Sequence, residues 1–179
     1  MVKLNSKQLR DIPVAEAQEV QQGLKRNPLY LIVENVYDTY NIGGLFRLAD
    51  GLAVKKLYLC GEMETPPHHK IEKASVGTYK IVPWEYKESA IEAIEAIRAQ
   101  EQHVKVYAVE QSDSSKPYTD VPYSAPTALI VGNETFGVTE ETLKACDQTI
   151  EIPMWGINKS LNVIVSAAIV AFHVMEKIR

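Results

Sequence analysis

Apolar runs alternate with amphipathic stretches along the chain, and this alternation predicts strands and helices in turn. Short, continuous apolar runs are typical of strands covered on both faces, and they occur at 28–35, 55–60, around 79–84, 104–110, 127–133 and 148–153. Apolar residues at helical spacing predict helices at 6–24 (with Pro13 as an interruption), 41–53, 70–76, 87–100, from Thr139 onward, and 160–178. The alternation predicts an α/β fold with a mainly parallel sheet flanked by helices.

The last predicted helix carries no charged residue between Val163 and Met175. This apolar stretch is too short to cross a bilayer, so no membrane partner is expected. A helix that is apolar on nearly all sides must be covered by its own domain and by something else. Its small residues allow another backbone to approach closely; they are Ser166, Ala167, Ala168 and Ala171. We therefore expect a homodimer.

The length of 179 residues predicts a single domain, with residues 1–27 as a short N-terminal helical extension. The formal net charge is −4, and the segment 134–151 accounts for it with five acids and one lysine. The remainder is neutral overall, so any basic face must be local. The candidates lie near the start of the chain; they are Lys3, Lys7, Arg10, Lys25 and Arg26. Charge alone neither supports nor excludes an RNA partner.

The N-terminal residues are too polar for a signal peptide, and the two cysteines, Cys60 and Cys146, are far apart and outside any CxxC spacing. A cytoplasmic protein is the default expectation. The four histidines are not spaced to share a metal ion, so no metal site is predicted.

Three loops at the carboxyl ends of predicted strands carry unusual polar residues, and open α/β sheets bind ligands at that edge. They are "NIGGLFR" (41–47), "GNETFG" (132–137) and "IPMWGINKSLN" (152–162). Each has a purely structural alternative. Asn41 or Ser160 could cap a helix, and Arg47 could pair with Asp50 on a helix surface. The fingerprints G-x-G-x-x-G, G-x-x-x-x-G-K-[ST] and G-x-S-x-G are absent from the sequence.

The order N-x-G-x-x-x-R, G-N-E-x-x-G and I-P-M-x-G-x-x-x-S-L-N resembles the three signature motifs of the SpoU (TrmH-like) family. That family consists of RNA ribose 2′-O-methyltransferases within the SPOUT superfamily, and the resemblance runs from about residue 28 to the C-terminus. It implies a deep trefoil knot within about 127–179, S-adenosylmethionine as the cofactor, and a dimer with the active site near the subunit interface.

The resemblance also implies catalytic positions, which are Asn41, Arg47, Glu134, Ser160 and Asn162. A guanidinium does not readily lose its proton, so we expect Arg47 to clamp an RNA phosphate and to stabilise the developing alkoxide. Glu134 would orient Arg47 or receive the proton, and the other three would fix neighbouring hydrogen bonds. The cofactor positions that it implies are Gly132, Ile152 and Leu161, with Met154 and Val109 as weaker candidates.

Three other interpretations stay open at this point. The knotted domain could bind RNA and cofactor without transferring a methyl group, as an RNA-binding or ribosome-assembly factor. It could be a flavodoxin-like small-molecule binder, or its methyl acceptor could be a base nitrogen. The sequence does not choose between tRNA and rRNA.

Overall fold

The computed structural model describes residues 3–179 as a seven-stranded sheet with helices on both faces. The strands are Asn27–Glu34 (β1), Val54–Cys60 (β2), Trp84–Lys87 (β3), Lys105–Val109 (β4), Lys116–Pro117 (β5), Thr127–Val131 (β6) and Gln148–Glu151 (β7). The α-helices are Ser6–Asp11 (α1), Val14–Gly23 (α2), Thr39–Gly51 (α3), His69–Ser75 (α4), Ala90–Gln100 (α5), Glu140–Ala145 (α6) and Val163–Ile178 (α7). Two 3₁₀ turns lie at Thr78–Lys80 and Tyr118–Asp120.

All strand pairs are parallel, and the strand order is β3-β2-β1-β6-β4-β7-β5. The predicted α/β class with a parallel sheet is therefore confirmed. From β1 the chain proceeds outward to β2 and β3, and then crosses to the other half of the sheet. The carboxyl ends of β1, β6, β4 and β7 consequently lie side by side where the strand order reverses, which is where such sheets bind ligands.

Two apolar layers cover the sheet, and β1 contributes alternate side chains to each. Leu31 and Val33 belong to the layer that contains α3, α4 and α7, whereas Tyr30 and Ile32 pack with α5 on the other face. Central parallel strands are buried on both faces, which is why their sequences read as continuous apolar runs.

The strand predicted around 79–84 is wrong. Residues 78–80 form a 3₁₀ turn, and the edge strand β3 begins only at Trp84. Ile81 is apolar because it packs on the N-terminal helices, and the true strand carries charged residues because Glu85 pairs with Lys56 and Lys87.

The long loop at 111–126 contains β5 and a 3₁₀ turn, which the sequence did not predict.

The N-terminal extension forms two helices that break before Pro13, as its position in the sequence predicted. Ile12 and Ala17 pack against Ile81, and Lys80 Nζ donates to the carbonyl oxygens of Arg10 (2.9 Å) and Ile12 (3.0 Å). Residues 1 and 2 of the predicted extension lie outside the described residues. The helices are thus attached to the sheet domain by both apolar and polar contacts.

Helix α7 buries one side and exposes another. Ala167 and Ala171, which we expected to admit a second backbone, are buried against the protein's own core. The exposed side instead carries the large residues Val165, Ile169 and Phe172. Within residues 3–179, no helix is both long and apolar enough to span a membrane. The trefoil knot within 127–179 stays a prediction.

Gly43 and Gly44 lie inside α3 and permit close helix packing. A Cβ at Gly43 would lie 2.4 Å from the Cβ of Ala74 and 2.8 Å from the backbone nitrogen of Ser75 in α4. A Cβ at Gly44 would lie 2.3 Å from Cδ1 of Ile164 in α7. Glycine therefore lets α3 contact both neighbouring helices closely.

The substitution Gly43→Ala should destabilise the protein, because the backbone of α4 would have to move. Overpacking of this kind costs about 1–3 kcal/mol of unfolding free energy. Gly51→Ala, at the end of the same helix, is the matched control, since a Cβ there meets nothing within 4 Å. We expect urea denaturation to show a lower midpoint for Gly43→Ala and an unchanged or higher one for Gly51→Ala. Equal midpoints would contradict the close-packing role.

Candidate active site

A chain of hydrogen bonds joins the three predicted motif segments, of which the first lies in α3 and not in a loop. The side-chain nitrogen of Asn162 donates to the side-chain oxygen of Asn41 (3.0 Å), and the side-chain nitrogen of Asn41 donates to Oε1 of Glu134 (2.6 Å). Asn41 is buried, whereas Glu134 and Asn162 are exposed. Residues from three distant parts of the sequence thus meet at the carboxyl edge of the sheet.

The structure shows which residues cap the helices at these positions. Asp38 caps α3 by accepting from the backbone nitrogen of Tyr40 (2.8 Å), so Asn41 is not the cap. Asn162 caps α7 by accepting from the backbone nitrogen of Ile164 (2.9 Å), so Ser160 is not the cap either. The Ser160 hydroxyl makes no hydrogen bond to any residue within 3–179. Its side chain is exposed.

Arg47 lies on α3 with an exposed guanidinium that makes neither a hydrogen bond nor an ion pair to residues 3–179. The alternative pairing with Asp50 is not formed. Burial raises the pKa of Asp50, and the charge of Arg26 opposes that effect. Six residues separate Arg47 from Asn41, which is about 9 Å along a helix axis. Arg47 therefore presents a free cation near the hydrogen-bonded chain without belonging to it.

The loop "GNETFG" is a tight turn held by Asn133. The Asn133 side-chain oxygen accepts from the backbone nitrogens of Thr135 (2.8 Å) and Phe136 (3.0 Å), and its side-chain nitrogen donates to the carbonyl oxygen of Asn35 (2.8 Å). A Cβ at Gly132 would lie 2.3 Å from the carbonyl carbon of Gly137, so only glycine fits there. These contacts hold Glu134 at a fixed place above β6.

Two further carboxylates anchor this loop and the helix after it. Glu110, directly after β4, accepts from the backbone nitrogens of Val138 (3.0 Å) and Gln111 (2.9 Å). The buried Glu34, at the end of β1, accepts from the backbone nitrogen of Thr139 (2.9 Å) and the hydroxyl of Thr142 (2.6 Å). Bonds to charged acceptors are the stronger ones, so the loop between β6 and α6 is held at both ends.

A cavity of about 310 Å³ opens between the second and third motif loops. All five residues predicted to bind the cofactor line it; they are Val109, Gly132, Ile152, Met154 and Leu161. Glu134 and Ser160 also lie on its wall. Apolar and polar side chains share its wall, and the backbone approaches at Gly132, which fits a purine nucleoside with a polar tail. The volume is in the range of small-molecule sites.

Sequence reasoning missed the residues that hold the loops. Gln111 Nε2 donates to the carbonyl oxygen of Lys159 (2.8 Å) and so ties the third motif loop to the end of β4. Polar residues occur within two positions after the apolar strands β4 and β6; they are Glu110, Gln111 and Asn133. Their position directly after a strand was the sequence signal that could have identified them. In the part of the chain from residue 3 to 179, no group of three or more His, Cys, Asp or Glu is arranged to hold a metal ion.

The chain is similar to known proteins in both sequence and fold. The model of the SpoU rRNA Methylase family matches residues 28–172. The tRNA (guanosine(18)-2′-O)-methyltransferase of Thermus thermophilus is 30% identical over 94% of this chain and 86% of its own length. The crystal structure of the A. aeolicus TrmH/SpoU tRNA modifying enzyme is 27% identical, with a TM-score of 0.75 over 92% of this chain and 81% of that one.

An AdoMet-bound rRNA methyltransferase from Sinorhizobium meliloti is likewise similar, with 26% identity and a TM-score of 0.77 over 94% of this chain and 59% of that one. The matched segment includes all three loops that Asn41 connects. By its sequence and its fold, the chain belongs to the SpoU rRNA methylase family.

Proposed function

We propose that this protein transfers a methyl group from S-adenosylmethionine to a ribose 2′-hydroxyl of tRNA or rRNA. The observation that carries the proposal is the hydrogen-bonded chain Asn162–Asn41–Glu134, which joins the three motif segments beside a cavity that Glu134 lines. The similar proteins are named as tRNA and rRNA methyltransferases, and one was crystallised with AdoMet. Family membership favours this activity over a non-catalytic role and over a flavodoxin-like binder, and ribose over a base nitrogen.

The cavity between the second and third motif loops would hold the cofactor. Ile152, Leu161 and Val109 would hold its adenosine part, with Met154 beside them, and the backbone at Gly132 would supply hydrogen bonds. S-adenosylmethionine, when bound, supplies an electrophilic methyl group. Since Gly132 and Gly137 cross closely, part of the cavity wall is backbone. The charged residues Glu110, Glu151 and Lys159 also line the cavity.

Arg47 and Glu134 act on the RNA. The guanidinium of Arg47 has no partner among the described residues, so it is free to bind a phosphate and to stabilise the negative charge that develops on the 2′-oxygen. One Glu134 oxygen accepts from Asn41, and the other has no partner within residues 3–179. Because the structure shows no Arg47–Glu134 contact, we assign Glu134 to receive the hydroxyl proton rather than to orient Arg47.

Asn41, Asn162 and Ser160 position the reacting groups. Asn41 fixes one oxygen of Glu134, and Asn162 fixes the amide of Asn41 while it caps α7. The free hydroxyl of Ser160, on the cavity wall, is available for a hydrogen bond to substrate or cofactor. Alignment of a weakly acidic hydroxyl with the methyl group is the main chemical problem, and fixed side chains solve it.

The RNA partner is held by the catalytic domain, with help from the N-terminal helices. Lys3, Lys7, Arg10 and Lys25 are exposed there, whereas Arg26 is half-buried and donates to the carbonyl oxygen of Ile81 (2.8 Å). Four of the five basic residues are thus free to contact phosphates. The protein acts in the cytoplasm, where tRNA and rRNA function.

A second copy of the chain covers the exposed side of α7. Val165, Ile169 and Phe172 follow each other at spacings of four and three residues, and 45%, 36% and 55% of their surfaces are exposed. This stripe continues to Leu161, which lines the cofactor cavity, so the dimer contact and the site are adjacent. A row of large apolar side chains on one helix is typical of a protein interface.

Arg47→Ala should abolish most methyl transfer while S-adenosylmethionine binding stays unchanged, because Arg47 lies outside the cavity. We expect a loss of about 10²–10³-fold in kcat/KM, the usual effect of removing one charge-stabilising donor. Labelled methyl transfer to total tRNA and, separately, to rRNA measures it, with resistance of the product to alkaline cleavage as proof of a ribose site. Arg98→Ala, an exposed arginine on the opposite face of the sheet, is the control. Full activity of Arg47→Ala would contradict the assignment.

Glu134→Gln tests the proton acceptor. Glutamine keeps an oxygen for Asn41 but cannot take a proton, so we expect a fall in kcat of about 10²-fold or more with unchanged cofactor affinity. Glu141→Gln, an exposed acid in the first turn of α6, serves as the control. If Glu134→Gln remained active while Glu134→Ala did not, Glu134 would only position Asn41.

Replacement of Phe172 by Glu should produce a monomer, since a charge in the centre of an apolar interface is costly to bury. Size-exclusion chromatography with light scattering measures the mass of each variant. Val14→Glu is the control, because Val14 is equally exposed (58%) but lies on α2. A wild-type protein that is already monomeric would contradict the dimer.

A further inference from the structure

A second concavity lies beside the candidate active site, at the carboxyl ends of β1, β2 and β3. Its walls include two tyrosines, Tyr37 and Tyr86, and two carboxylates, Glu62 and Glu88. We call it the tyrosine groove. Neither the cofactor cavity nor the hydrogen-bonded chain of Asn41 uses any of these four residues, so the groove is free for another ligand.

The floor of the tyrosine groove is rigid. Asn35 adopts a left-handed conformation (φ 52°), and its side-chain oxygen accepts from the backbone nitrogen of Glu62 (2.9 Å). Gly61 lies so close that a Cβ there would be 2.1 Å from the same oxygen. The Tyr86 hydroxyl donates to the carbonyl oxygen of Gly61 (3.2 Å). Three strand ends are therefore tied together, and the groove is formed without a ligand.

The two tyrosines present unpaired aromatic surface. Tyr37 is 52% exposed and Tyr86 is 45% exposed. Neither ring contacts another aromatic ring within residues 3–179. Large exposed rings at the edge of a site are the usual platform for an unstacked nucleobase. The aromatic content thus favours a flat ligand.

The carboxylates determine which part of an RNA fits. Glu62 and Glu88 are exposed, and neither side chain forms a hydrogen bond or ion pair to the part of the chain from residue 3 onward. The negative charge of these carboxylates repels a phosphate, so the groove favours a base of the RNA over its sugar–phosphate backbone. Ionised carboxylates only accept hydrogen bonds, and guanine offers adjacent N1–H and N2–H donors on its Watson–Crick edge.

The groove is continuous with the site of methyl transfer. Asn35, in its floor, accepts from Asn133 of the second motif loop (2.8 Å), and Tyr37 precedes Asn41 by four residues. An RNA strand that brings a ribose to Asn41 and Glu134 therefore passes the groove. Sequence-specific RNA recognition depends on single-stranded bases of this kind, stacked on aromatic rings and bonded along their edges.

We infer that the tyrosine groove binds a guanine base of the substrate RNA, at the methylated nucleotide or directly beside it. Tyr37 and Tyr86 stack on the base, and Glu62 and Glu88 accept from its Watson–Crick edge. The inference rests on the proposed RNA methyltransferase activity and adds a determinant of substrate choice to it.

The test replaces guanine by inosine, which lacks the 2-amino group. The methylated position is first mapped with the wild-type enzyme, and each guanine at that nucleotide or its two neighbours is then changed in turn. One replacement should lower kcat/KM for the wild type about tenfold, the usual effect of losing a hydrogen bond to a charged acceptor. In the double variant Glu62→Ala, Glu88→Ala, which removes both acceptors, the same replacement should cost little. Glu64→Ala, which changes an exposed acid on the same loop but outside the groove, should behave as the wild type.

The stacking contribution is tested separately. Tyr37→Ala should lower kcat/KM about tenfold, and Tyr37→Phe should restore it, because stacking needs the ring and the Tyr37 hydroxyl has no partner among residues 3–179. S-adenosylmethionine affinity should be unchanged in every groove variant, which separates these effects from misfolding.

Each outcome has a distinct meaning. No methyl transfer by the wild type contradicts the proposed function itself. If the wild type transfers methyl groups but the double variant still distinguishes guanine from inosine as the wild type does, only the role of the groove is contradicted. The same conclusion follows if none of the three positions carries guanine. Groove variants that keep base discrimination but bind ribosomal particles more weakly would indicate a basic protein segment as the occupant, and the inference would be wrong.

Discussion

The side-chain amide of Asn41 joins loops that lie far apart in the sequence, and the arrangement of the site depends on that contact. An amide can donate and accept at once, so one buried residue can hold Glu134 on one side and Asn162 on the other. Its place is set by helix packing, since Gly43 and Gly44 allow α3 to approach α4 and α7 closely. An aspartate of the same shape could accept from Asn162 but could not donate to an ionised Glu134, so the amide group is what allows both bonds.

The site combines a fixed backbone with free functional groups. Asn133 and Glu110 satisfy backbone nitrogens of the second motif loop, and Gln111 binds the third loop through the carbonyl oxygen of Lys159. By contrast, the guanidinium of Arg47 and the hydroxyl of Ser160 are exposed and bond to no side chain within residues 3–179. Such a division suits catalysis, because groups that are already positioned need little reorganisation when the substrate binds.

Much of the fold was predictable because buried parallel strands have a strong apolar signal. The prediction failed at β3, where the strand is at the sheet edge and its charged residues pair across to Lys56. The motif loops were predictable from their order, but their mutual contacts were not. The bond between Asn41 and Glu134 spans 93 residues, and the tyrosine groove combines the ends of three strands. Such proximity depends on the order of the strands in the sheet, and the hydrophobic periodicity of a sequence does not reveal that order.

The strand order also separates the cofactor cavity from the tyrosine groove along one edge of the sheet. The cofactor cavity is built on the ends of β4, β6 and β7, whereas the tyrosine groove is built on the ends of β1, β2 and β3. The two halves of the sheet meet where β1 pairs with β6, and the contact between Asn35 and Asn133 crosses that line. A reaction between a cofactor in one half and an RNA in the other must take place at this boundary. Asn41 and Glu134, whose loops follow β1 and β6, lie on either side of it.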